Sequence, residues 1–593
     1  MLSRLLWVFA VFLGHCSFAL KFSSVTDHVR LGDARGKVVG FVDFNADKAT
    51  DILFQTDNSI SVYLWSREKQ RFHLHQLLSL NGSSVVDTVA VDLDADGQVD
   101  LLTLTREGGR CHSMTVYWMK PHSRGPAIEY QEVIGNGVLS PPLVLDGNGD
   151  HIPDLLTHSC LNNTSTLWLS KEFLREFQKE TISLSLNYTS SYYVDLTDDN
   201  LADVVVEGRG SSGRSLLFWQ RNPSCGDETS FLSPSLPVPL PFPLSSAAVF
   251  SPLTFNDIDG DGEIEAVGVT CPDPDCTTAH VHILSHQSSF PTSPDGCGVS
   301  GTQPVNFTQV HTVAVHGESV SLSSHPPVLG DLDLDGYPDI LLPVSSSSGV
   351  LLLVPRQCRD NCNGSKVTLD PQWIPVTNGN VTSAFFFDLW EDGVLDLVVT
   401  EEREQAAGSS HQLLAFRHHL QDDHAFLKVL VPSGHCYHNC RSGQMPYGSV
   451  LPGVVVRFST TDRMGRRKEG VRTLTSGHAH QLPFAVFGLG QTPSLVERLE
   501  VGVEGGGVTA SRQWTNLVPN SQVIVIPSPP SQPLRWRLEL YLTPGQLVYS
   551  TAGVLAALFL ATAVLVLLLQ TREKYQDSRE KRMAKHKFHF NAM

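Results

Sequence analysis

Nine-residue segments rich in carboxylates recur along this chain. The cleanest carries Asp92, Asp94, Asp96, Gly97 and Asp100. A second carries Asp331, Asp333, Asp335, Gly336 and Asp339, and a third Asp257, Asp259, Asp261, Gly262 and Glu265. Looser copies hold Asp43, Asn45, Asp47 and Asp51; Asp146, Asn148, Asp150 and Asp154; Asp195, Thr197, Asp199 and Asp203; and Asp388, Trp390, Asp392 and Asp396. Oxygen ligands at positions 1, 3, 5 and 9 of a tight loop converge on one point, and Ca2+ takes six to eight such oxygens. Glycine at position 6 permits the sharp turn. The competing reading is a cluster of Asx turns that needs no metal. Calcium is expected in the loops at 92, 257 and 331. It is expected less strongly at 43 and 146, where Lys48 and His151 replace the glycine. At 195 and 388, Thr197 and Trp390 remove a ligand and the metal-free turn is at least as good a reading.

The loops are separated by 49, 54, 49, 62, 74 and 57 residues. An apolar stretch precedes each (VVGFVD, TVAVD, AFFFD), another follows (DILFQT, DLLTLT, DLVVTE), and a third comes some ten residues on (SVYLW, MTVYWM, LLAFRH). Strand, acidic loop, strand, turn, strand, seven times over, predicts a β-propeller. A parallel solenoid has shorter repeats. A Pro-rich insert at 234–243 and a Cys-bearing insert at 271–297 account for the longest gaps.

Charge and the chain ends give the compartment. The whole chain has a net charge of −18; residues 21–547 carry −23 and residues 571–593 carry +4. The acidic balance excludes nucleic acid as a partner, because phosphate binding needs clustered Lys and Arg. Residues 1–19 read as a secretory signal peptide. Residues 548–569 hold no charge and are long enough to cross a bilayer. The basic residues of 570–593 then predict a cytoplasmic tail and a type I orientation at the plasma membrane. Ten cysteines remain after Cys16 leaves with the signal, and an oxidising compartment favours disulfides over zinc, with Cys271/Cys276, Cys358/Cys362 and Cys436/Cys440 as close pairs. Glycosylation acceptors stand at Asn81, Asn162, Asn163, Asn187, Asn306, Asn363 and Asn380, all on the outer side.

Residues 425–527 read as an antiparallel β-sandwich, with Phe487, Gly488, Leu489 and Gly490 as a packed turn. Residues 528–547 read as a Pro-rich linker to the membrane. No nucleophile elbow, HExxH motif or phosphate loop occurs. His418, His419, Asp422, Asp423 and His424 suggest a metal cluster on composition, but a solvated surface run is the better reading.

The acidic repeats resemble the FG-GAP repeats of integrin α-chain propellers over residues 21–420. The segments PYGSVLPGVVVRF, HQLPFAVFGLG and VERLEVGV resemble the small β-domain of the ASPIC/UnbV group. The architecture as a whole resembles the T-cell immunomodulatory protein (Linkin) family. The expected fold is therefore all-β: a seven-bladed FG-GAP-type propeller (20–424), a small sandwich and one transmembrane helix. The resemblance implies cell adhesion or modulation of immune cells, through a protein ligand or receptor on other cells or matrix, with shedding of the ectodomain as a further form. The tail is expected to meet a cytoplasmic partner or anionic lipid. No catalysis is expected; a glycan- or lipid-directed propeller hydrolase and a lectin are the alternatives.

Overall fold

Each acidic loop joins the first two strands of an antiparallel sheet, and the loops are numbered 1 to 7 from Asp43 onward. In the first sheet the strands are Lys37–Val42, Asp51–Gln55, Ser59–Ser66 and Arg71–Ser79, paired in that order. The computed structural model describes residues 21–588 outside 57, 80–83, 121–126, 172–174, 185, 211–212, 220–237, 241–248, 273–275, 277, 288–305, 317–325, 344–348, 359–366, 378, 406–407, 421–423, 435–448, 462–464, 475–480, 492–494, 505–508 and 544–545. Within these residues seven sheets each carry one acidic loop. Six have four strands; the fifth has five, because Val249–Phe250 and Thr254–Asn256 both pair with Glu265–Cys271.

Four of the second strands, Asp51–Gln55, Asp154–His158, Glu265–Cys271 and Asp339–Pro343, are buried along their whole length, and Asp100–Gly108 is buried over its first five residues. A strand covered on both faces needs an apolar run rather than alternation, which is why these segments stand out in the sequence. Each sheet packs on the next. Leu53 and Val62 meet Leu101 and Tyr117; Val116 and Trp118 meet Leu155 and Trp168; Ile340 and Leu353 meet Val267 and Ile283. The ring closes where Phe385 and Leu397 of the seventh sheet share a core with Ile52 and Phe54 of the first. Phe22–Ser24 completes the seventh sheet by pairing with Gly408–His418, in register Phe22 to His418.

Two further four-stranded sheets form the sandwich. One runs Phe484–Gly490, Ala425–Leu430, Ser521–Ile526, Arg537–Leu542; the other runs Arg467–Leu474, Val454–Thr461, Val496–Glu504, Thr509–Leu517. Three expectations need correction. Ala425–Leu430 and Ser521–Ile526 run parallel, so the sandwich is not purely antiparallel. Residues 484–490 form a strand, not a turn. The predicted linker is partly sandwich: Trp536 is buried in its core, its Nε1 donates to the Pro529 carbonyl at 3.1 Å, and Arg537–Leu542 adds an edge strand. The aromatic anchor and the Arg512 guanidinium, which donates to the Pro533 and Leu534 carbonyls at 3.2 and 3.0 Å, fold the Pro-rich stretch back.

Helix Gln546–Phe588, of 43 residues, belongs to a separate unit that starts at Leu542, and it contains the apolar span. It does not end at residue 569, since the basic segment behind the span continues the same helix. The proposed signal segment and Asn81, Asn363, Cys225, Cys297, Cys362, Cys436, Cys440, Asp422 and Asp423 lie outside the described residues. Asn162, Asn163, Asn187 and Asn380 are exposed, and Asn306 opens the strand Asn306–His316.

Cys271 pairs with Cys276 within the fifth sheet, and Cys111 with Cys160 between the second and third. The second bridge spans 49 residues, one repeat length. A loop of that size restricts the unfolded chain by about 4 kcal/mol. Replacing Cys111 and Cys160 together by alanine should therefore lower the urea midpoint, by about 2–4 kcal/mol once converted with the denaturant slope; an unchanged midpoint would show that the bridge adds nothing.

Candidate metal centre

All seven loops share one conformation. Positions 4 and 6 have positive φ throughout: Ala46 and Lys48, Ala95 and Gly97, Gly149 and His151, Asp198 and Asn200, Gly260 and Gly262, Leu334 and Gly336, Glu391 and Gly393. The first aspartate accepts backbone N–H bonds on both oxygens, as Asp92 does from Asp96 (3.1 Å) and Gly97 (3.0 Å). The fifth-position carboxylate accepts from position 7, as Asp335 does from Tyr337 at 3.0 Å. The ninth accepts from position 2 and ties the loop to the third strand: Asp51 to Trp65, Asp100 to Met119, Asp154 to Ser170, Asp396 to His418. Left-handed backbone costs a residue with a side chain roughly 1–2 kcal/mol. At Lys48 and His151 the N–H bond to Asp43 (2.7 Å) or Asp146 (3.1 Å) offsets that cost, so the turn forms without glycine.

Loops 2, 5 and 6 bring carboxylates to a point. One oxygen from each of Asp92, Asp94 and Asp96 lies within 4.8 Å of the others; Asp257, Asp259 and Glu265 do the same, as do Asp331, Asp333 and Asp339. Asp94 Oδ1 and Asp339 Oδ1 are buried and accept no hydrogen bond. An oxygen-seeking divalent cation supplies what such atoms lack, so the donor set fits calcium. In loops 1 and 3 an amide stands at the third position instead. Asn45 Nδ2 donates to Asp47 at 3.0 Å and Asn148 Nδ2 to Asp150 at 2.9 Å, so part of the carboxylate charge is met within the loop.

The crowding shifts acidity. Burial, reinforced by Asp47, pushes Asp43 up to about 7. Burial and Asp94 push Asp96 up to about 7, and burial and Asp333 do the same for Asp335. Burial carries Asp257 up to about 8, against the pull of the Gly262 N–H. At Asp195 burial is opposed by Arg457, and the carboxyl rises only to about 6.

The sandwich lies over this loop face. Lys48 Nζ of loop 1 pairs with Glu539 at 3.3 Å and donates to Tyr541 Oη at 2.7 Å. In loop 3 His151 Nε2 bonds the Glu504 carbonyl. Arg457 Nη2 meets Asp195 of loop 4 at 2.9 Å, while its Nη1 donates to the Gly262 carbonyl of loop 5 at 2.9 Å. In loop 6 Asp331 accepts from Gly488 N–H at 3.0 Å, Gly490 N–H donates to the Leu334 carbonyl at 2.9 Å, and Lys468 Nζ donates to the Asp335 carbonyl at 2.7 Å. Loop 7 receives Lys428. Sequence reasoning missed these partners. Their signal was present: Lys428 and Arg457 are lone charges inside apolar runs, LKVLV and VVVRF. Among the described residues of the His418 to His424 run, His419 is exposed as expected, whereas His418 is buried and His424 half-buried. The His418 N–H donates to Asp396 at 2.7 Å, and His424 Nδ1 bonds the Asp333 carbonyl at 2.6 Å.

The FG-GAP-like repeat family matches residues 43–103, and the family described as "ITFG1, C2 domain" matches 446–541, over the sandwich compared above with the ASPIC/UnbV group. A T-cell immunomodulatory protein of Rattus norvegicus is 29% identical, over 96% of this chain and 94% of its own length. One from Macaca fascicularis is 34% identical, over 45% of this chain and 89% of its own length. Protein linkin of Caenorhabditis elegans is 25% identical, over 95% and 96%.

A carboxyl raised by burial holds its proton in the folded state over a window where the unfolded chain has lost it. Its stabilising effect is complete below about pH 4 and disappears as pH rises through the folded value. The buried His158, His282 and His418, lowered by burial to about 3, 4 and 4, act below their unfolded value of 6.5 and leave the window above it clear. In EDTA the melting temperature should therefore fall between pH 6.5 and 8.5, through Asp96, Asp257 and Asp335. Saturating calcium should flatten that slope, and a slope that is the same with and without calcium would count against metal at these carboxylates.

Proposed function

Because the chain belongs to the T-cell immunomodulatory protein family, we propose that it is a type I cell-surface glycoprotein whose calcium-stiffened propeller binds a protein partner on other cells or in the matrix. The convergence of three carboxylate clusters in one closed ring is the observation that carries this reading. Calcium bound there neutralises loop charge and stabilises only the folded state; at a free concentration a hundredfold above Kd each site adds about 2.7 kcal/mol. A stiffened ring presents preformed loops, where recognition concentrates.

The sandwich occupies the acidic-loop side, which favours the opposite end of the strands for the partner. That end holds the turns joining second to third strands, such as 159–163, and the exposed acceptors Asn162 and Asn163 by the third sheet and Asn187 at the start of the fourth limit its free part to other sheets. The basic residues Arg572, Lys574, Arg579, Lys581, Arg582, Lys585 and Lys587 behind the span support a cytoplasmic C-terminus. Catalysis is left out of this reading, since the convergent carboxylates belong to repeated turns whose backbone they hold.

Cells displaying the full chain with an N-terminal tag after the signal segment should stain with tag antibody without permeabilisation. They should also adhere to cells bearing the partner in calcium and lose most of that adhesion in EDTA. Staining only after permeabilisation would refute the orientation, and adhesion untouched by EDTA would refute the role given to calcium.

A further inference from the structure

Two of the seven loops have neither Asp nor Asn at position 3: loop 4, with Thr197, and loop 7, with Trp390. In both, an acid appears one residue later, at position 4: Asp198 and Glu391. Position 4 of the other five loops is Ala46, Ala95, Gly149, Gly260 or Leu334. The same two loops receive a cation from the sandwich on the first carboxylate. Lys428 Nζ lies 2.8 Å from Asp388 Oδ2 and also pairs with Glu391. Arg457 Nη2 lies 2.9 Å from Asp195 Oδ2 and also pairs with Asp198. The Lys428 pair is sealed, with the side chains of Lys428 and Asp388 2% and 0% exposed, while in the other Asp195 is 0% and Arg457 19% exposed.

The fully carboxylated loops differ. Among the described residues no lysine or arginine forms an ion pair with Asp92, Asp257 or Asp331. Arg175 and Arg356 reach loops 2 and 6 only at the third and fifth positions, Asp94, Asp333 and Asp335, from partly exposed sites. An acid at position 3 thus goes with a first carboxylate that no ammonium or guanidinium contacts directly, Lys468 reaching loop 6 at the Asp335 carbonyl instead, and an acid at position 4 with a tethered ammonium or guanidinium.

We propose that Lys428 and Arg457 are resident cations, each occupying on its own loop the role that a divalent ion has in loops 2, 5 and 6, so that the sandwich is fastened to the propeller at two points independently of metal. The inference rests on the calcium reading for loops 2, 5 and 6 but is tested separately from it. Removing one partner of a buried pair strands the other charge and is strongly destabilising.

The test uses the full chain in detergent micelles, with bound calcium counted by equilibrium dialysis and melting followed in calcium and in EDTA. Asp388→Asn and Asp195→Asn should keep the wild-type number of bound ions, whereas Asp331→Asn should lose one. Lys428→Met and Arg457→Met should each lower the melting temperature by about 5 °C or more, by equal amounts in calcium and in EDTA. Should Lys428→Met fail to fold, the less buried Arg457→Met and the ion counts still decide. Loss of an ion in Asp388→Asn or Asp195→Asn overturns the proposal, as does a stability loss that vanishes in EDTA. If the wild-type protein binds no calcium, the metal reading falls, and the EDTA melting of the two methionine variants alone decides whether the resident cations hold.

Discussion

Like charges held close together in buried turns are the condition to which the rest of this molecule answers. Each sheet needs a carboxylate at the start of its loop to gather N–H groups that would otherwise point at nothing, and another at the end to hold the loop's second residue and, at Asp51, Asp100, Asp154 and Asp396, to lash the loop to the third strand. The geometry that satisfies the backbone therefore concentrates negative charge at one end of every sheet. Seven such ends converge on one side of the ring, and a protein-sized low-dielectric body covers most of them. Uncompensated, that arrangement would not persist. Protons, amides, tethered side chains and metal are the four kinds of compensation open to such loops.

The position of the sandwich follows from this. Its inward face is not a generic apolar surface: Lys428, Arg457 and Lys468 project from its strands onto acidic turns, and the Gly488 and Gly490 N–H groups meet loop 6 directly. Gly488 leaves no room for a side chain there, since an added Cβ would come within 2.0 Å of Asp331 Oδ2. The two domains are thus joined by polar chemistry that has meaning only between them, together with apolar contacts in which Phe426, Phe484 and Val486 share a core with the seventh sheet and Val455 and Val471 one with the fourth and fifth.

How far the fold was legible depended on where each residue faces. Second and third strands announce themselves because both faces are buried. Outer strands do not: Arg71–Ser79 and Ile128–Val138 consist mostly of half-buried and exposed residues, and their sequences, RFHLHQLLS and IEYQEVIGNGV, carry little periodic signal. Phe22–Ser24 is too short to be recognised without its partner 396 residues away. The acidic loops were readable as repeats and as oxygen clusters. Which loops pair with cations was not, because Lys428 and Arg457 lie 40 and 262 residues from the aspartates they meet. The fold-back of the Pro-rich stretch was hidden because a composition that stiffens a free chain says nothing about a tryptophan that anchors it.

The strand Phe22–Ser24 also sets a schedule. It is among the first described residues to be made, yet its neighbour Gly408–His418 comes almost four hundred residues later. At ribosomal rates of about 5–20 residues per second, that is a wait of roughly 20–80 s. During that interval the strand has no edge to join, and the growing arc of sheets has an open flank at each end. Contacts so distant along the chain are slow to form and leave edges available to wrong partners. Maturation of this protein is therefore limited less by the assembly of any one sheet than by the time for which the unfinished ring must be kept from closing on something else.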